Sequence, residues 1–286
     1  MNNLYREYSR QLVFYRIYPF FFIKHSLGLM EQRVWNVMFF FAHDNLLTEE
    51  FHKISIATLQ NELSVKDQNL ICAAVKNLKK SIDCKRNNTE LFLDDVQITS
   101  NAIIYKYPTS ARILCSNKII HDLYQRMLAV DLSSKYSFAL YKYCLHWSLL
   151  GYLTIVPIVD LKHYCNVELT RYDNSKIFMD SILIRSIHEI NEKTSLTVSL
   201  RPIKDGRNIT AFNIDVKNKA PFDVTDNDLA NFVLHCYAFW KAFLIYNESL
   251  EVGKFCVDRY ISQADREFFM NKLIPEAKAR QRRECV

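Results

Sequence analysis

Glycine is scarce in this chain: four in 286 residues, at Gly28, Gly151, Gly206 and Gly253. None stands in G-x-G-x-x-G or G-x-x-x-x-G-K, loops that need glycine because their backbone must approach a phosphate closely. That excludes a P-loop nucleotidase and a dinucleotide enzyme of the usual kind. The eight cysteines include no C-x-x-C pair, and several occupy apolar helical positions, a pattern of reduced intracellular thiols. Long apolar runs are missing too. Residues 13–23 are interrupted by Arg16 and Pro19, and residues 34–42 are too short for a hydrocarbon layer of ~30 Å, so no membrane span is expected. The amino terminus has Glu7 and two arginines before an aromatic run and no small-residue cleavage site, so it does not read as a signal peptide, and a cytoplasmic location is expected.

Catalytic constellations are equally thin. His163-x-Cys165 and His235-Cys236 lack the further spaced ligands of a zinc site and lie on helical stripes, where core packing explains them. Asp94-Asp95 is a lone acidic pair. Sixteen tyrosines raise the alternative of a tyrosine-dependent, rolling-circle nicking enzyme, but no His-x-His motif accompanies them. The expectation is a protein that is not an enzyme and carries no cofactor and no metal.

What the chain has is apolar content and a modest positive excess. With 49% hydrophobic and 24% charged residues it can build one or two packed cores. A net charge of +6 and pI near 8.8 favour polyanionic partners mildly, so the location of the charge matters more than its total.

Read in order, residues 1–27 form an aromatic, basic amino-terminal arm. Glu31 to His43 reads as a buried helix. Ile56, Leu59 and Leu63 form one helical stripe, Ser64 reads as a cap, and Leu70, Ile71, Ala74, Val75 and Leu78 form the inward face of a second helix. The outward face of that helix carries Asn69, Ala73, Lys76 and Lys80, with Lys66 just before it: small, amide-bearing and basic, as a DNA surface requires, although lysine faces are commonly just solvated. Ile82 to Leu93 reads as a small hairpin with Lys85 and Arg86 at its tip. Residues 28–96 make one unit and 97–131 a connecting segment.

The plan then repeats. Ser133 reads as the cap of a helix with inward stripe Tyr136, Leu140, Tyr143 and Trp147. Ile158-x-x-Leu161-x-x-x-Cys165-x-Val167 matches Ile56-x-x-Leu59-x-x-x-Leu63-x-Val65 at a constant offset of 102 residues. A second reading helix begins near Asn174 or Ser175, with Phe178, Ile182, Ser186 and Ile190 inward and Asn174, Ser181, Arg185 and His188 outward. Arg171, Tyr172 and Lys176 stand at its start, where free N–H groups suit phosphate. Two strands follow, expected to join through a type I′ turn at Asp205-Gly206, with Lys204 and Arg207 flanking the tip. Helix, helix-turn-helix and hairpin suggest a winged helix over residues 132–217. Residues 218–286 form a helical extension ending in Lys278, Arg280, Arg282 and Arg283. The fold class is α+β and mostly helical: two tandem winged-helix domains related by an internal repeat, plus the helical basic carboxy-terminal extension.

Leu132 to Tyr143, Tyr172 followed by Phe178, Ile182-Leu183, the Glu189-Ile190-Asn191 triplet and the Gly206-Arg207 turn with its closing strand resemble the iteron-binding plasmid replication initiators, which have a double winged-helix architecture. The likeness covers roughly residues 25–217 and is strongest in the second half. It implies binding to double-stranded DNA, as monomers on direct repeats at an origin and as a homodimer on an inverted repeat in the protein's own promoter, and recruitment of host replication proteins. Where relatives place basic residues after the Phe of the second reading helix, this chain has Met179, Asp180 and Ser181. The expected contacts therefore move to Arg171, Tyr172, Asn174, Ser175, Lys176, Ser181 and Arg185, with the second copy reading sequence while the first mainly holds the backbone. A winged-helix transcriptional regulator binding one palindrome is the alternative within the same fold.

Overall fold

The protein is described by a computed structural model over residues 27–79, 93–150, 154–165, 167, 172, 174–240 and 256–273. Most of the amino-terminal arm, Lys80, the 82–93 hairpin with Lys85 and Arg86 at its tip, Arg171, and the basic tail at 278–283 lie outside the described residues.

The first unit opens with α1 (Leu29–Ala42), which buries Val34, Trp35, Val37, Met38 and Phe39 and ends in a 3-10 turn (His43–Asn45). Next come β1 (His52–Ser55), α2 (Ile56–Leu63), α3 (Gln68–Leu78), β2 (Asp95–Ile98) and β3 (Ala102–Lys106). The strands form an antiparallel sheet of order β1-β3-β2. Two connecting helices, α4 (Thr109–Leu114) and α5 (Lys118–Leu128), lead to the second unit. There α6 (Lys135–Leu150), β4 (Thr154–Pro157) and α7 (Ile158–Tyr164) precede a helix that runs without a break through α8 (Ser175–Phe178), a π-helical turn (Met179–Leu183) and α9 (Ile184–Lys193). The wing is β5 (Leu196–Asp205) and β6 (Asn208–Asn218), in a sheet of order β4-β6-β5. The chain continues with α10 (Asp226–Trp240), α11 (Val257–Tyr260), α12 (Gln263–Phe268) and a final π-helical turn (Phe269–Leu273). This is an α+β, mostly helical protein with two small antiparallel sheets. Among the described residues no helix is long and apolar enough to cross a membrane.

The repeat holds at the level of single hydrogen bonds. Strand β1 and helix α2 recur 102 residues later as β4 and α7, and the Val65 N–H to Gln60 carbonyl bond recurs as Val167 to Lys162, at 3.0 and 2.8 Å. Across the sheets, Ile54 pairs with Ile103 and Ser55 with Ala102; Val156 pairs with Phe212 and Pro157 with Ala211. Alternation of buried and exposed residues along β1 and the first half of β5 gives the half-buried face that a period of two requires.

Several local expectations need correction. Leu70 does not join the inward face of α3; it is 53% exposed, while Ile71, Ala74, Val75 and Leu78 are buried. Ser64 does not start α3 but ends α2 in the left-handed conformation (φ 54°), and Asp67 caps α3 through the Asn69 amide. Ser134, not Ser133, accepts from the Tyr136 amide at the start of α6. The inward stripe on α6 is a whole circumference: every residue from Ser137 to Trp147 is buried, and only Tyr136 is half-exposed. Helix α6 is enclosed because both units pack on it. The Lys142 ammonium donates to Gln32 of α1 at 3.0 Å, and the Tyr141 hydroxyl reaches the Arg126 carbonyl of α5 at 3.5 Å.

The boundary expected at residue 96 cuts through β2. The first sheet runs on to Lys106, because the stretch read as a connection supplies both strands of its hairpin. Helices α4 and α5 also pack back on the first unit: Arg112 donates to the Leu46 and Glu49 carbonyls, and Trp35, Phe39, Tyr107 and Tyr124 form one aromatic cluster, with Phe39 and Tyr124 ring centres 4.3 Å apart. The extension packs on the connecting helices, where the His235 imidazole donates to the Ile113 carbonyl at 2.9 Å and the Arg126 guanidinium lies 3.8 Å over the Phe222 ring. Buried apolar residues of both units and of α10 form one continuous core. All six described cysteines are free thiols.

Candidate nucleic-acid interface

The two reading helices, α3 and the α8–α9 helix, are seated in the same way. Each is capped by an Asx side chain, Asp67 on the Asn69 amide at 2.8 Å and Asn174 on the Lys176 amide at 2.9 Å. Each touches its own hairpin with its first residue: Gln68 donates to the Ser100 carbonyl at 3.2 Å, and the Ser175 hydroxyl to the Ile209 carbonyl at 3.3 Å. Ile71 and Val75 of α3 correspond to Phe178 and Ile182, 107 residues on, and all four are buried. The next buried position, Leu78, corresponds to Ser186 at an offset of 108. The π-helical turn therefore inserts one residue into the second helix. Its buried residues Phe178, Ile182, Ser186 and Ile190 recur every four positions, a stripe that drifts around a regular helix of 3.6 residues per turn, and a wider turn absorbs part of the drift.

The second helix is locked at its far end. The Glu189 carboxylate accepts from the Ser133 amide at 2.6 Å, the Ser133 hydroxyl at 2.7 Å and the Lys193 ammonium at 3.2 Å. Burial alone would raise its pKa, but the bonds from Ser133, Ser137 and Lys193 outweigh that and hold it near 2. Asn191 exchanges two bonds with the Val198 backbone, at 3.0 and 2.6 Å. Glu189 and Asn191, part of the sequence resemblance, thus orient the helix rather than face a ligand.

On the outer side, Lys176 and Arg185 are exposed and Ser181 is half-buried. The hairpin exposes Arg201, Lys204 and Arg207, and Ser175–Ile209 brings its base against the helix start, so Lys176 lies on the wing side. The two-residue loop is Gly206-Arg207, closed by the Asp205–Asn208 pair, not Asp205-Gly206. Only Gly206 has positive φ (+58°), the pattern of a type II′ turn with glycine first, so the expected type I′ turn is absent. Three expected contacts serve the fold instead. The Asn174 side chain caps the helix and so occupies the amides expected to meet phosphate, and Ser175 is tied to β6. Tyr172, left-handed at φ 59°, is half-buried against Phe178, and its carbonyl accepts from the buried Lys162 at 2.9 Å.

In the first unit, α3 exposes Asn69, Leu70, Ala73 and Lys76, and Lys66 is exposed just before it. The turn of its described hairpin is Thr99-Ser100-Asn101, without a cation, and Lys106 at the far end is paired with Glu50. Sequence reasoning missed Arg201, which strand alternation could have revealed. It also missed a symmetry: Leu70 and Ile177, 107 residues apart, are large aliphatic side chains left 53% and 50% exposed at the same position of the two reading helices.

Comparison with known proteins agrees with the placement of the second unit. Residues 157–216 match the family described as "Initiator Rep protein, WH2", a span that begins at the end of β4 and closes in β6. A crystal structure of domains 2 and 3 of RctB, as a selenomethionine derivative, is similar at 14% identity over 66% of this chain and 81% of that chain, with a TM-score of 0.43. A search of curated proteins finds no match.

Proposed function

From the premise that this chain, through residues 157–216, belongs to the Rep-type initiators, we propose that it initiates plasmid replication in the cytoplasm by binding direct repeats in double-stranded origin DNA. On this reading it also represses its own promoter as a dimer on an inverted repeat. The observation that carries the reading is the coincidence of the matched span with a winged helix whose reading helix and wing expose Lys176, Arg185, Arg201, Lys204 and Arg207 on adjoining elements.

The mechanism is one of binding energy, without a catalytic step or a cofactor. Lysines and arginines displace counterions from phosphates, the two reading helices enter successive major grooves, and an array of bound protomers strains an adjacent A·T-rich segment for host replication proteins to open. The second unit reads bases through Arg185 and Ser181. The first, with Lys66 and Lys76 but an uncharged hairpin turn, mainly holds the backbone. Leu70 and Ile177 fit apolar contact with thymine methyl groups.

Footprinting on the DNA flanking the gene tests the proposal: a protected array of direct repeats is expected, together with autonomous replication of a minimal plasmid carrying that array and the gene. Protection of a single palindrome alone, without replication, would convert the reading to that of a winged-helix regulator. A covalent tyrosyl–DNA product with Mg²⁺ would convert it to a nicking enzyme.

A further inference from the structure

The 3-10 turn after α1 and the first turns of α5 bring together two imidazoles and a carboxylate from positions 74 and more residues apart. One donor atom each from His43, Asp44 and His121 lies within 4.8 Å of the others. Three such points lie within about 2.8 Å of a common centre (4.8/√3), so shifts under about 1 Å bring all three to zinc distances of about 2.0–2.2 Å.

The rings are held from behind. Phe40 stacks on His121 with centres 4.8 Å apart, Phe39 packs edge-on against His43, and the two imidazoles are 4.7 Å from each other. His43 Nε2 lies 3.2 Å from the Asn117 carbonyl, which only accepts, so Nε2 carries the hydrogen. In the neutral ring Nδ1 is then a lone pair, and it faces an Asp44 carboxylate oxygen at 3.5 Å. Two acceptors face each other unless a proton or a metal cation lies between them. Burial and, more weakly, the neighbouring His121 lower the His43 pKa, while the Asp44 and Asn117 contacts raise it less, so the net tendency is against the proton. A backbone carbonyl fixing the far nitrogen is the arrangement that metal-ligating histidines use.

We infer that His43, Asp44 and His121 form a zinc-binding site that fastens the end of α1 to α5, with a fourth position open to water beside the exposed Asp44. Two imidazoles and a carboxylate suit Zn²⁺ better than Mg²⁺ or Ca²⁺, which prefer all-oxygen shells. The pattern differs from His163-x-Cys165 and His235-Cys236 in being assembled by tertiary packing.

The test uses full-length protein without a histidine tag, stripped with chelator and titrated with ZnCl₂ by calorimetry, with bound metal counted after dialysis. Wild type should retain one Zn²⁺ per chain and melt at a higher temperature with Zn²⁺ than without. His121→Gln should weaken binding at least tenfold and remove the thermal shift. Asp44→Asn, on an exposed side chain that cannot unfold the core, should weaken binding with an unchanged metal-free melt. Circular dichroism confirms the fold of each variant. Substoichiometric binding by wild type, or affinity unchanged in both His121→Gln and Asp44→Asn, would overturn the site.

Discussion

The two winged-helix units share strand order, cap type and the contact between reading helix and hairpin, yet they differ in how firmly the reading helix is held. In the second unit a carboxylate near pKa 2, a two-way Asn191–Val198 clamp and a ten-residue β5 stabilise the helix, and its wing carries Arg201, Lys204 and Arg207. In the first, the described supports are Gln68 to Ser100 and the exposed Lys79–Asp95 ion pair at 3.2 Å, and the hairpin turn has no charge. Exposed pairs contribute only about 0–1 kcal/mol. Duplication preserved the scaffold and let the devices that orient and charge the DNA-facing side diverge.

The largest expected effect tests what the units share. Trp147 is buried in α6, which both units enclose, and Trp147→Ala should cost about 3–5 kcal/mol. Urea unfolding should still show a single transition at a lower midpoint. Separate transitions for the two halves would break the view of a common core.

Removing Glu189 should separate the units. Glu189→Ala loses charged hydrogen bonds worth about 1–3 kcal/mol at pH 7. The folded carboxyl is depressed from 4.5 to about 2, so its contribution is full above pH 4.5 and fades as pH falls from there toward 2. The variant's unfolding midpoint should converge on the wild-type value across that window, and a constant difference would contradict the clamp.

Lys142 joins the units at a cost. Burial lowers its pKa from 10.5 to about 8, so its charge penalises the folded state fully below pH 8, and the penalty shrinks as pH rises toward 10.5. Lys142→Met should stabilise the protein at pH 7 by about 1–3 kcal/mol and flatten the rise above pH 8, read as urea midpoints at both pH values. Destabilisation instead would mean that the Gln32 contact outweighs desolvation.

At the DNA, Arg185→Ala should lose about 1–3 kcal/mol on the specific site and relax specificity there, whereas Lys76→Ala should weaken binding evenly and reduce the salt slope by about 1. Equal behaviour of the two in gel-shift titrations would erase the proposed division of labour. The smallest effect is the sharpest: replacing contacted thymines by deoxyuridine removes only a methyl group and should cost about 0.8 kcal/mol per contact, an effect absent in Leu70→Ala, Ile177→Ala protein.

The offset of 102 residues, the Asp205-Gly206-Arg207 corner and the apolar spacing of α2, α3 and α7 were legible because they are local, and local periodicity directly encodes a buried face. The buried circumference of α6 was not. Its 3.6-residue pattern reads as one stripe, and only packing by two units, connecting helices and a sheet makes Lys142 interior. The hairpin of the first unit was misplaced because Lys85-Arg86-Asn87-Asn88 is the stronger turn signal, whereas the Thr99 hydroxyl bonds to the Ala102 backbone that close the observed turn leave little trace in composition.

By itself the sequence determined the class of the molecule. Scarce glycine closed off phosphate-cradling enzymes, helical and strand periodicities set the order of elements, and an internal repeat doubled the unit. The tertiary structure decided which side of each element meets water, and with it which of the expected contacts remain available. Asn174, Ser175 and Tyr172 were drawn into capping and packing, while Leu70 and Ile177 were left exposed. His43 and His121, 78 residues apart, became neighbours because only the packing of α5 on α1 brings them together.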